Sequence, residues 1–175
     1  MEVANISLLL TESKGNGDNL KVEVINNFYG AQCCEQNKDT KVKTTKLPEG
    51  YNLTPNVGAH KYYSDLKVWN DARKFCEHEG VSISAHLAIA DSEEEMKILE
   101  KLIGTAVDTW VGFHDLFTIG DWVTVLDKPV PFYSWSPGNP DLPNAERCGS
   151  MRTNGFNNLN CNSAVGFICE VEISK

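Results

Sequence analysis

The sequence Trp135-Ser136-Pro137-Gly138-Asn139-Pro140-Asp141 opens the segment around which the rest of the chain is organised. Together with its continuations at residues 145–148 and 155–158, this segment offers five side chains with amide or carboxylate oxygens: Asn139, Asp141, Glu146, Asn157 and Asn158. A hard cation such as Ca2+ takes about six to eight oxygen ligands of this kind. Cys148 and Cys161 bracket the second half of the segment. The segment therefore predicts a calcium-binding loop, with the rest of the chain as its scaffold.

The composition is that of a folded domain with an acidic surface. Hydrophobic residues make up 41% of the 175 residues, which is ordinary for a globular protein and enough to build a core. The formal net charge is -8, and residues 48–175 carry all of it, because residues 1–47 hold six lysines and six acidic residues. Such a surface repels phosphate backbones, so we expect no nucleic-acid partner. No apolar run reaches 18 residues, so we expect no membrane insertion.

The six cysteines indicate an oxidising compartment. The C-x-x-C spacing of zinc ribbons and thioredoxin-like sites does not occur. Two N-x-S/T sequons, at Asn5 and Asn52, agree with secretion. We therefore expect a secreted, extracellular protein of a haemolymph or venom-like fluid.

Residues 1–47 are predicted to be an N-terminal arm that precedes a domain of residues 48–175. Short alternating runs at residues 20–24 and 41–45 could pair as a hairpin. Cys33 and Cys34 are adjacent, which leaves a vicinal bridge or pairing elsewhere open, including pairing with a second chain. The arm is thus a candidate device for a homo-oligomer.

The pattern of residues 65–169 predicts an α+β domain. A helix is expected from about Asp65 to Glu79, and a second is expected after Ser92, which with Glu95 forms a capping box. Gly104 ends the second helix. Strands are expected at residues 86–90, 109–113, 122–125 and 165–169. Two helices followed by strands and long loops are typical of the α+β class.

Many motifs, in order and in register, resemble the C-type lectin domain over roughly residues 50–172. They are Trp69-x-x-Ala72-x-x-x-Cys76, Glu93-Glu94-Glu95, Trp110-Val111-Gly112-Phe113, Gly120-Asp121-Trp122, Trp135, Asn139-Pro140-Asp141, Glu146-x-Cys148, Phe156-Asn157-Asn158, Cys161 and Phe167-Ile168-Cys169-Glu170. The segment Gly50-Tyr51 with Pro55-Asn56-Val57-Gly58 resembles more narrowly the insect haemolymph lectins of the lipopolysaccharide-binding-protein group. The resemblance implies a C-type lectin fold, with two helices flanking antiparallel strands and a long calcium- and sugar-binding loop region.

The same resemblance implies the chemistry of the site. It implies disulfides Cys76–Cys169 and Cys148–Cys161 and a cis peptide bond before Pro140. It further implies one Ca2+ site and a sugar site that share the same ligands: Asn139, Asp141, Glu146, Asn157 and Asn158. In such a site each side chain gives one lone pair to calcium, and its remaining donor or acceptor goes to a sugar hydroxyl.

Two positions depart from the family pattern, and the order of one tripeptide bears on sugar preference. Asn158 stands where the family has Asp, which leaves two carboxylates for the ion, so we expect weak calcium binding at about 10⁻⁴–10⁻³ M or worse. Ile119 stands where members with an auxiliary calcium site have an acid, so we expect no site of that kind. The order Asn139-Pro140-Asp141 is similar to the Gln-Pro-Asp of galactose-type members and weakly favours galactose-like ligands.

These observations predict a calcium-dependent lectin rather than an enzyme. No H-E-x-x-H, G-x-S-x-G or P-loop motif occurs, and His114-Asp115 is expected to be a surface dipeptide at a strand end rather than a catalytic pair. We expect innate recognition of microbial surface glycans, including the sugars of lipopolysaccharide. The alternative is a calcium-independent protein-interaction module with a degenerate sugar site, which Asn139 and Asn158 favour.

Overall fold

The computed structural model describes residues 47–79 and 84–172. The predicted hairpin of the N-terminal arm and the Cys33/Cys34 pair lie outside the described residues. Within the described ranges, no helix is long and apolar enough to cross a membrane.

The described residues form ten elements, eight strands and two helices. In chain order they are β1 (Asn52–Thr54), β2 (Gly58–Lys67), α1 (Trp69–Glu79), β3 (Ala85–Leu87), α2 (Glu93–Ile103), β4 (Thr109–His114), β5 (Val123–Thr124), β6 (Cys148–Arg152), β7 (Gly155–Leu159) and β8 (Val165–Val171). The α+β fold class predicted from the sequence is confirmed.

The first helix begins four residues later than the sequence predicts. The segment from Asp65 to Lys67 continues strand β2, where Lys67 pairs with Val165 of β8. Helix α1 starts at Trp69, whose indole Nε1 donates to the Val111 carbonyl oxygen at 3.0 Å. Pairing with a distant strand therefore overrides the local helical pattern at this boundary.

The second helix begins after Ser92, as its capping box predicts. The Glu95 side chain, however, has partners other than those of a standard capping box. The Ser92 hydroxyl accepts the Glu95 N–H at 3.2 Å, as in a capping box. The Glu95 carboxylate, however, accepts the Asp91 N–H at 2.9 Å and lies 2.8 Å from His60 Nε2. Glu95 thus caps the helix and also anchors it to β2.

The sheet is mixed rather than wholly antiparallel. Its strand order is β1-β2-β8-β4-β6-β7, with β3 paired to β8 and β5 paired to β4. The β4–β8 pair is parallel, with Thr109 opposite Gly166 and Trp110 opposite Phe167, and the other pairs are antiparallel. The prediction of antiparallel strands is therefore wrong for this pair. Parallel strands need a long connection, and here residues 115–164 supply it.

Strands β1, β2, β6 and β7 were not predicted. Residues Ser150, Asn157 and Asn158 of β6 and β7 are buried although they are polar, so these strands lack the apolar alternation by which a strand is recognised. Their hydrogen-bond partners are other polar groups of the site described below.

Two groups of buried apolar residues form the core of the described domain. One lies between α2 and the sheet and includes Leu99, Phe113 and Phe156. The other joins α1 to β4 and β8 and includes Trp69 and Trp110. The prediction that the tryptophans are core residues is confirmed for Trp69, Trp110 and Trp122, and Trp135 packs against the core while partly exposed.

Two disulfide bonds connect distant parts of the chain. Cys76–Cys169 joins α1 to β8 across 93 residues, and Cys148–Cys161 joins the start of β6 to the turn after β7 across 13 residues. In the loop-entropy picture, bridges of these lengths contribute about 4–5 and about 3 kcal/mol. The shorter bridge closes the strand pair that carries Asn157 and Asn158.

A buried ionic cluster connects β2, α2 and β8. One side-chain atom each of His60, Glu95 and Glu170 lies within 4.8 Å of the others, and all three residues are buried. Glu170 accepts the Ile89 N–H at 2.8 Å. Burial, with the nearby Glu95 charge, holds the pKa of Glu170 well above its ordinary value.

Candidate calcium and carbohydrate site

The five candidate ligands are held by strand β7 and by the connection between residues 136 and 147. In the β6–β7 ladder, Asn157 lies opposite Ser150 and Asn158 lies opposite Gly149. Neighbouring residues of a strand face opposite sides. Asn157 and Asn158 therefore meet different partners although they are adjacent in sequence.

The Asn158 side chain fastens the connection to β7. Its amide nitrogen donates to the carbonyl oxygens of Asp141 and Glu146, the latter at 2.9 Å. Its oxygen accepts the Asp141 N–H at 2.8 Å. The side chain is fully buried, and both of its N–H groups are engaged.

The Asn157 amide faces a polar group on the other side of β7. Its nitrogen lies 3.0 Å from Asp108 Oδ1 and 3.2 Å from Ser150 Oγ. Both N–H groups are thus used. Within the described residues no donor reaches Asn157 Oδ1, so this oxygen keeps its lone pairs for a ligand.

The segment that carries Asn139 is placed by backbone pairing with β7. The Ser136 N–H donates to the Phe156 carbonyl oxygen at 2.8 Å. The Asn139–Pro140 peptide bond is cis. Asn139 Nδ2 donates to Ser136 Oγ at 2.8 Å, which leaves one N–H and the carbonyl oxygen of this side chain without a hydrogen-bond partner in the described residues.

Asp141 and Glu146 bring two carboxylates together at the surface. Burial and the nearby Asp141 carboxylate raise the pKa of Glu146 above its ordinary value. The Arg152 guanidinium opposes this shift of the pKa, and the Asp108 carboxylate adds to it. A cation between the two carboxylates would relieve their repulsion.

His114 and Asp115 are buried, so the prediction of a surface dipeptide is wrong. The Asp115 carboxylate accepts Arg147 Nε at 2.7 Å and the Gly120 N–H at 2.8 Å. The Asp115 N–H donates to the Arg147 carbonyl oxygen at 3.1 Å. These contacts fix the backbone immediately after Glu146 and leave Asp115 no role as a catalytic base.

The oxygen atoms that this arrangement leaves available fit a calcium ion. They belong to the carboxylates of Asp141 and Glu146 and to the amides of Asn139 and Asn157, and hard oxygen donors of this kind suit Ca2+. Asn158 has one lone pair of Oδ1 left after its bond to Asp141. Hydrogen bonds connect Asn158 directly to Asp141 and Glu146. The Asn157 side chain instead contacts Asp108 and Ser150, and the Asn139 side chain contacts Ser136.

The donors for a sugar hydroxyl are fewer than the sequence suggests. The resemblance implies that the remaining donor or acceptor of each ligand goes to a sugar hydroxyl. In the structure, both N–H groups of Asn157 and of Asn158 bind protein acceptors. Asn139 keeps one amide N–H. A hydroxyl would therefore meet acceptors at Asp141 and Glu146 and an amide donor at Asn139.

Asp108, Ser150 and Arg152 are site residues that the sequence did not reveal. Asp108 lies 49 residues from Asn157 in the chain, and its carboxylate also accepts Arg152 Nε at 2.9 Å. No local spacing rule connects residues so far apart. The available signal was Asp108 itself, an acidic residue that stands directly before a buried strand and has no obvious partner in the nearby sequence.

Comparison with known proteins gives the family. The profile described as Lectin C-type domain matches residues 65–171, which is more than half of the chain. The chain belongs to the C-type lectin domain family. Proteins of this family are carbohydrate-binding lectins and not enzymes, in agreement with the prediction made from the sequence.

Individual relatives agree with this family. The hemolymph lipopolysaccharide-binding protein of Periplaneta americana is 34% identical over 142 residues, which are 73% of this chain and 54% of that protein. Asialoglycoprotein receptor 1 of Rattus norvegicus is 31% identical over 121 residues, which are 65% of this chain and 41% of the receptor. The chain thus spans about half the length, or less, of these relatives.

A solved structure shows the same fold. The carbohydrate-recognition domain of the mouse scavenger receptor C-type lectin has a TM-score of 0.66 and 25% sequence identity, and the match covers 74% of this chain and 98% of that domain. The predicted C-type lectin fold is confirmed.

Proposed function

We propose that this C-type lectin domain binds carbohydrate in a calcium-dependent manner at the site formed by Asn139, Asp141, Glu146, Asn157 and Asn158. The observation that supports this most directly is the pair of neighbouring carboxylates of Asp141 and Glu146. Burial and the Asp141 carboxylate together raise the pKa of Glu146, and a cation between the two carboxylates would lower it. When bound, calcium supplies coordination positions for two neighbouring hydroxyls of a sugar.

The side chains of the site have separate tasks in this proposal. Asp141 and Glu146 provide the negative charge and accept hydrogen bonds from hydroxyl groups. Asn139 provides an amide oxygen and one N–H. Asn158 holds the connection in shape through its three hydrogen bonds and offers a single remaining lone pair. With two carboxylates the affinity for calcium should be low, at about 10⁻⁴–10⁻³ M or worse.

The natural ligand proposed is a glycan of a microbial surface. The cockroach relative is described as binding lipopolysaccharide, and the net charge of -8 favours the sugars over the phosphates as the point of contact. The order Asn139-Pro140-Asp141 weakly favours galactose-type ligands. A secreted protein of haemolymph agrees with that relative, and assembly through the Cys33/Cys34 arm would add avidity to weak single sites.

The test combines calcium titration with glycan binding. Calorimetry of the full chain should show one weak calcium site, and a glycan array should give signals that EDTA removes. Asp141→Ala and Glu146→Ala should each abolish both, whereas Asp71→Ala, at an exposed position in the first turn of α1, should change neither. Absence of calcium heat together with an EDTA-insensitive array would refute the proposal.

A second candidate function is a calcium-independent interaction module. The observation that favours it is the Asn158 amide, which ties Asp141 to Glu146 without any ion. Under this reading, a protein partner binds equally well with calcium and with EDTA. The same Asp141→Ala and Glu146→Ala variants would then leave partner binding intact.

A further inference from the structure

Asp108 is a hub of hydrogen bonds beside the candidate site. It stands directly before β4, and its side chain is 11% exposed. Oδ1 lies 2.9 Å from Arg152 Nε, 3.0 Å from Asn157 Nδ2 and 3.2 Å from Ser150 Oγ, and Oδ2 accepts Arg152 Nη2 at 3.2 Å. A carboxylate with so many donors is held in one position.

Asp108 determines whether the oxygen or the nitrogen of the Asn157 amide faces away from it. An Asn side chain can present either its oxygen or its nitrogen to a neighbour, and the hydrogen-bond network decides which. A carboxylate accepts hydrogen bonds and cannot donate them. If the Asn157 amide were reversed, its oxygen would face the Asp108 oxygen at close range. Asp108 therefore keeps the nitrogen toward itself and leaves Asn157 Oδ1 for another partner.

Arg152 neutralises the charge of Asp108, which would otherwise add to the charges of Asp141 and Glu146. Its guanidinium binds Asp108 through two nitrogen atoms, so the pair is close to neutral. The Asp108–Arg152 pair therefore holds the Asn157 amide without adding a full negative charge beside it.

We propose that Asp108 is a positioning residue of the site: it fixes the Asn157 amide so that Oδ1 is the atom presented to the cation. The inference rests on the proposed function for the identity of the cation. The orientation of the amide is a property of the metal-free protein, so it can be tested separately. Residues behind a metal ligand commonly change metal affinity about 10–100-fold when they are altered.

The first test reads the amide itself in calcium-free protein. In the full 15N-labelled chain, the side-chain NH2 signals of Asn157, assigned by comparison with Asn157→Asp, should be shifted and protected from exchange. Asp108→Asn leaves one acceptor oxygen where Asp108 has two and removes the charge that binds Arg152. The Asn157 signals should therefore shift and exchange faster. The control is Asp71→Asn, which should leave them unchanged. Signals that do not respond to Asp108→Asn overturn the proposal.

The second test measures calcium affinity by calorimetry. Asp108→Asn should weaken binding by about tenfold or more, and Asp71→Asn should leave it within about twofold of the unaltered chain. Equal affinities for Asp108→Asn and the unaltered chain contradict the proposal.

The outcomes separate this inference from the proposed function. If the unaltered chain takes no calcium, the proposed function fails, while the Asn157 signals still decide whether Asp108 fixes the amide. Should Asp108→Asn not fold, Asp108→Glu keeps the charge but moves it by one methylene. It should shift the Asn157 signals and lower calcium affinity, and a folded Asp108→Glu chain that does neither overturns the proposal.

Discussion

The side-chain amide of Asn158 donates a hydrogen bond to the backbone carbonyl oxygen of Glu146 at 2.9 Å. The same nitrogen donates to the carbonyl oxygen of Asp141. A carboxylate at this position could make neither bond, because it has no hydrogen to donate. The connection between residues 141 and 146 is therefore closed by the protein alone.

Replacing Asn158 with Asp should remove the hydrogen bonds that close the connection between residues 141 and 146, and it should strengthen calcium binding. The variant loses two buried donors and gains a carboxylate beside Asp141 and Glu146. Without calcium, we expect a loss of about 2–4 kcal/mol of stability. With calcium, the third acid should strengthen ion binding by about tenfold or more. Thermal unfolding in EDTA and in calcium, together with calorimetry, checks both parts.

Asn154 supplies the matched control for this exchange. It lies exposed in the turn between β6 and β7. Asn154→Asp adds the same charge nearby without removing a recorded hydrogen bond. If Asn154→Asp and Asn158→Asp respond alike to EDTA and to calcium, the role given to the Asn158 amide is incorrect.

Gly155 permits the close approach between β7 and the segment before Asn139. Its φ is +130°, and a Cβ there would lie 2.6 Å from the Ser136 backbone nitrogen and 2.7 Å from the Ser134 carbonyl oxygen. Gly155→Ala should therefore cost about 2–4 kcal/mol through strain and overpacking, and it should displace Asn139 and weaken sugar binding. Chemical denaturation and a glycan-binding assay measure the two effects.

Gly138 provides a comparison that separates backbone strain from overpacking as causes of the lost stability. Its φ is +89°, but a Cβ there would meet nothing within 4 Å. Gly138→Ala should cost only the backbone strain of about 1–2 kcal/mol. A Gly155→Ala chain as stable as Gly138→Ala would show that β7 and the segment 134–136 can separate at little cost.

Glu170→Gln should flatten the pH dependence of stability. The folded-state pKa of Glu170 is raised, so the native chain holds a proton there that the unfolded chain releases at lower pH. Stability from this group is complete below the ordinary carboxyl pKa and is lost as the pH rises through the raised value. Gln cannot ionise and can still accept the Ile89 N–H, so the variant should become the more stable chain as the pH rises.

The measurement is thermal unfolding of both chains at intervals from about pH 4 to about pH 8. Glu94→Gln, at an exposed position in the first turn of α2, serves as control and should run parallel to the unaltered chain. A Glu170→Gln chain whose unfolding temperature also runs parallel to the unaltered chain contradicts the raised pKa.

Removing the Cys148–Cys161 bridge should affect the site more than the fold. Replacing both residues with Ala opens a loop of 13 residues and should cost about 3 kcal/mol. Because Asn157 and Asn158 lie within that loop, calcium and sugar binding should fall along with stability. Guanidinium denaturation with calcium titration tests this, and unchanged calcium affinity in a folded variant would show that strand pairing alone holds the site.

Local sequence patterns were enough to predict the helices and the central strands. The spacing of Trp69, Ala72 and Cys76 gave the buried face of α1, and Ser92 gave the start of α2. Thr109–His114 was recognisable because it is apolar and buried on both faces. Strands β6 and β7 were not recognisable, because their polar residues are buried only through partners elsewhere in the chain.

The sequence by itself determined the fold class, the family and the residue types of the candidate site, because helix periodicity, capping residues and motif spacing are local properties of a chain. Only the tertiary structure decided what each side chain does. It set the parallel pairing of β4 with β8 and buried Asp115 beneath Arg147. It also turned the Asn157 amide toward Asp108 and the Asn158 amide toward Glu146. A hydrogen bond depends on the distance and direction between two atoms, and Asp108 and Asn157 stand 49 residues apart. Spacing along the chain contains neither quantity.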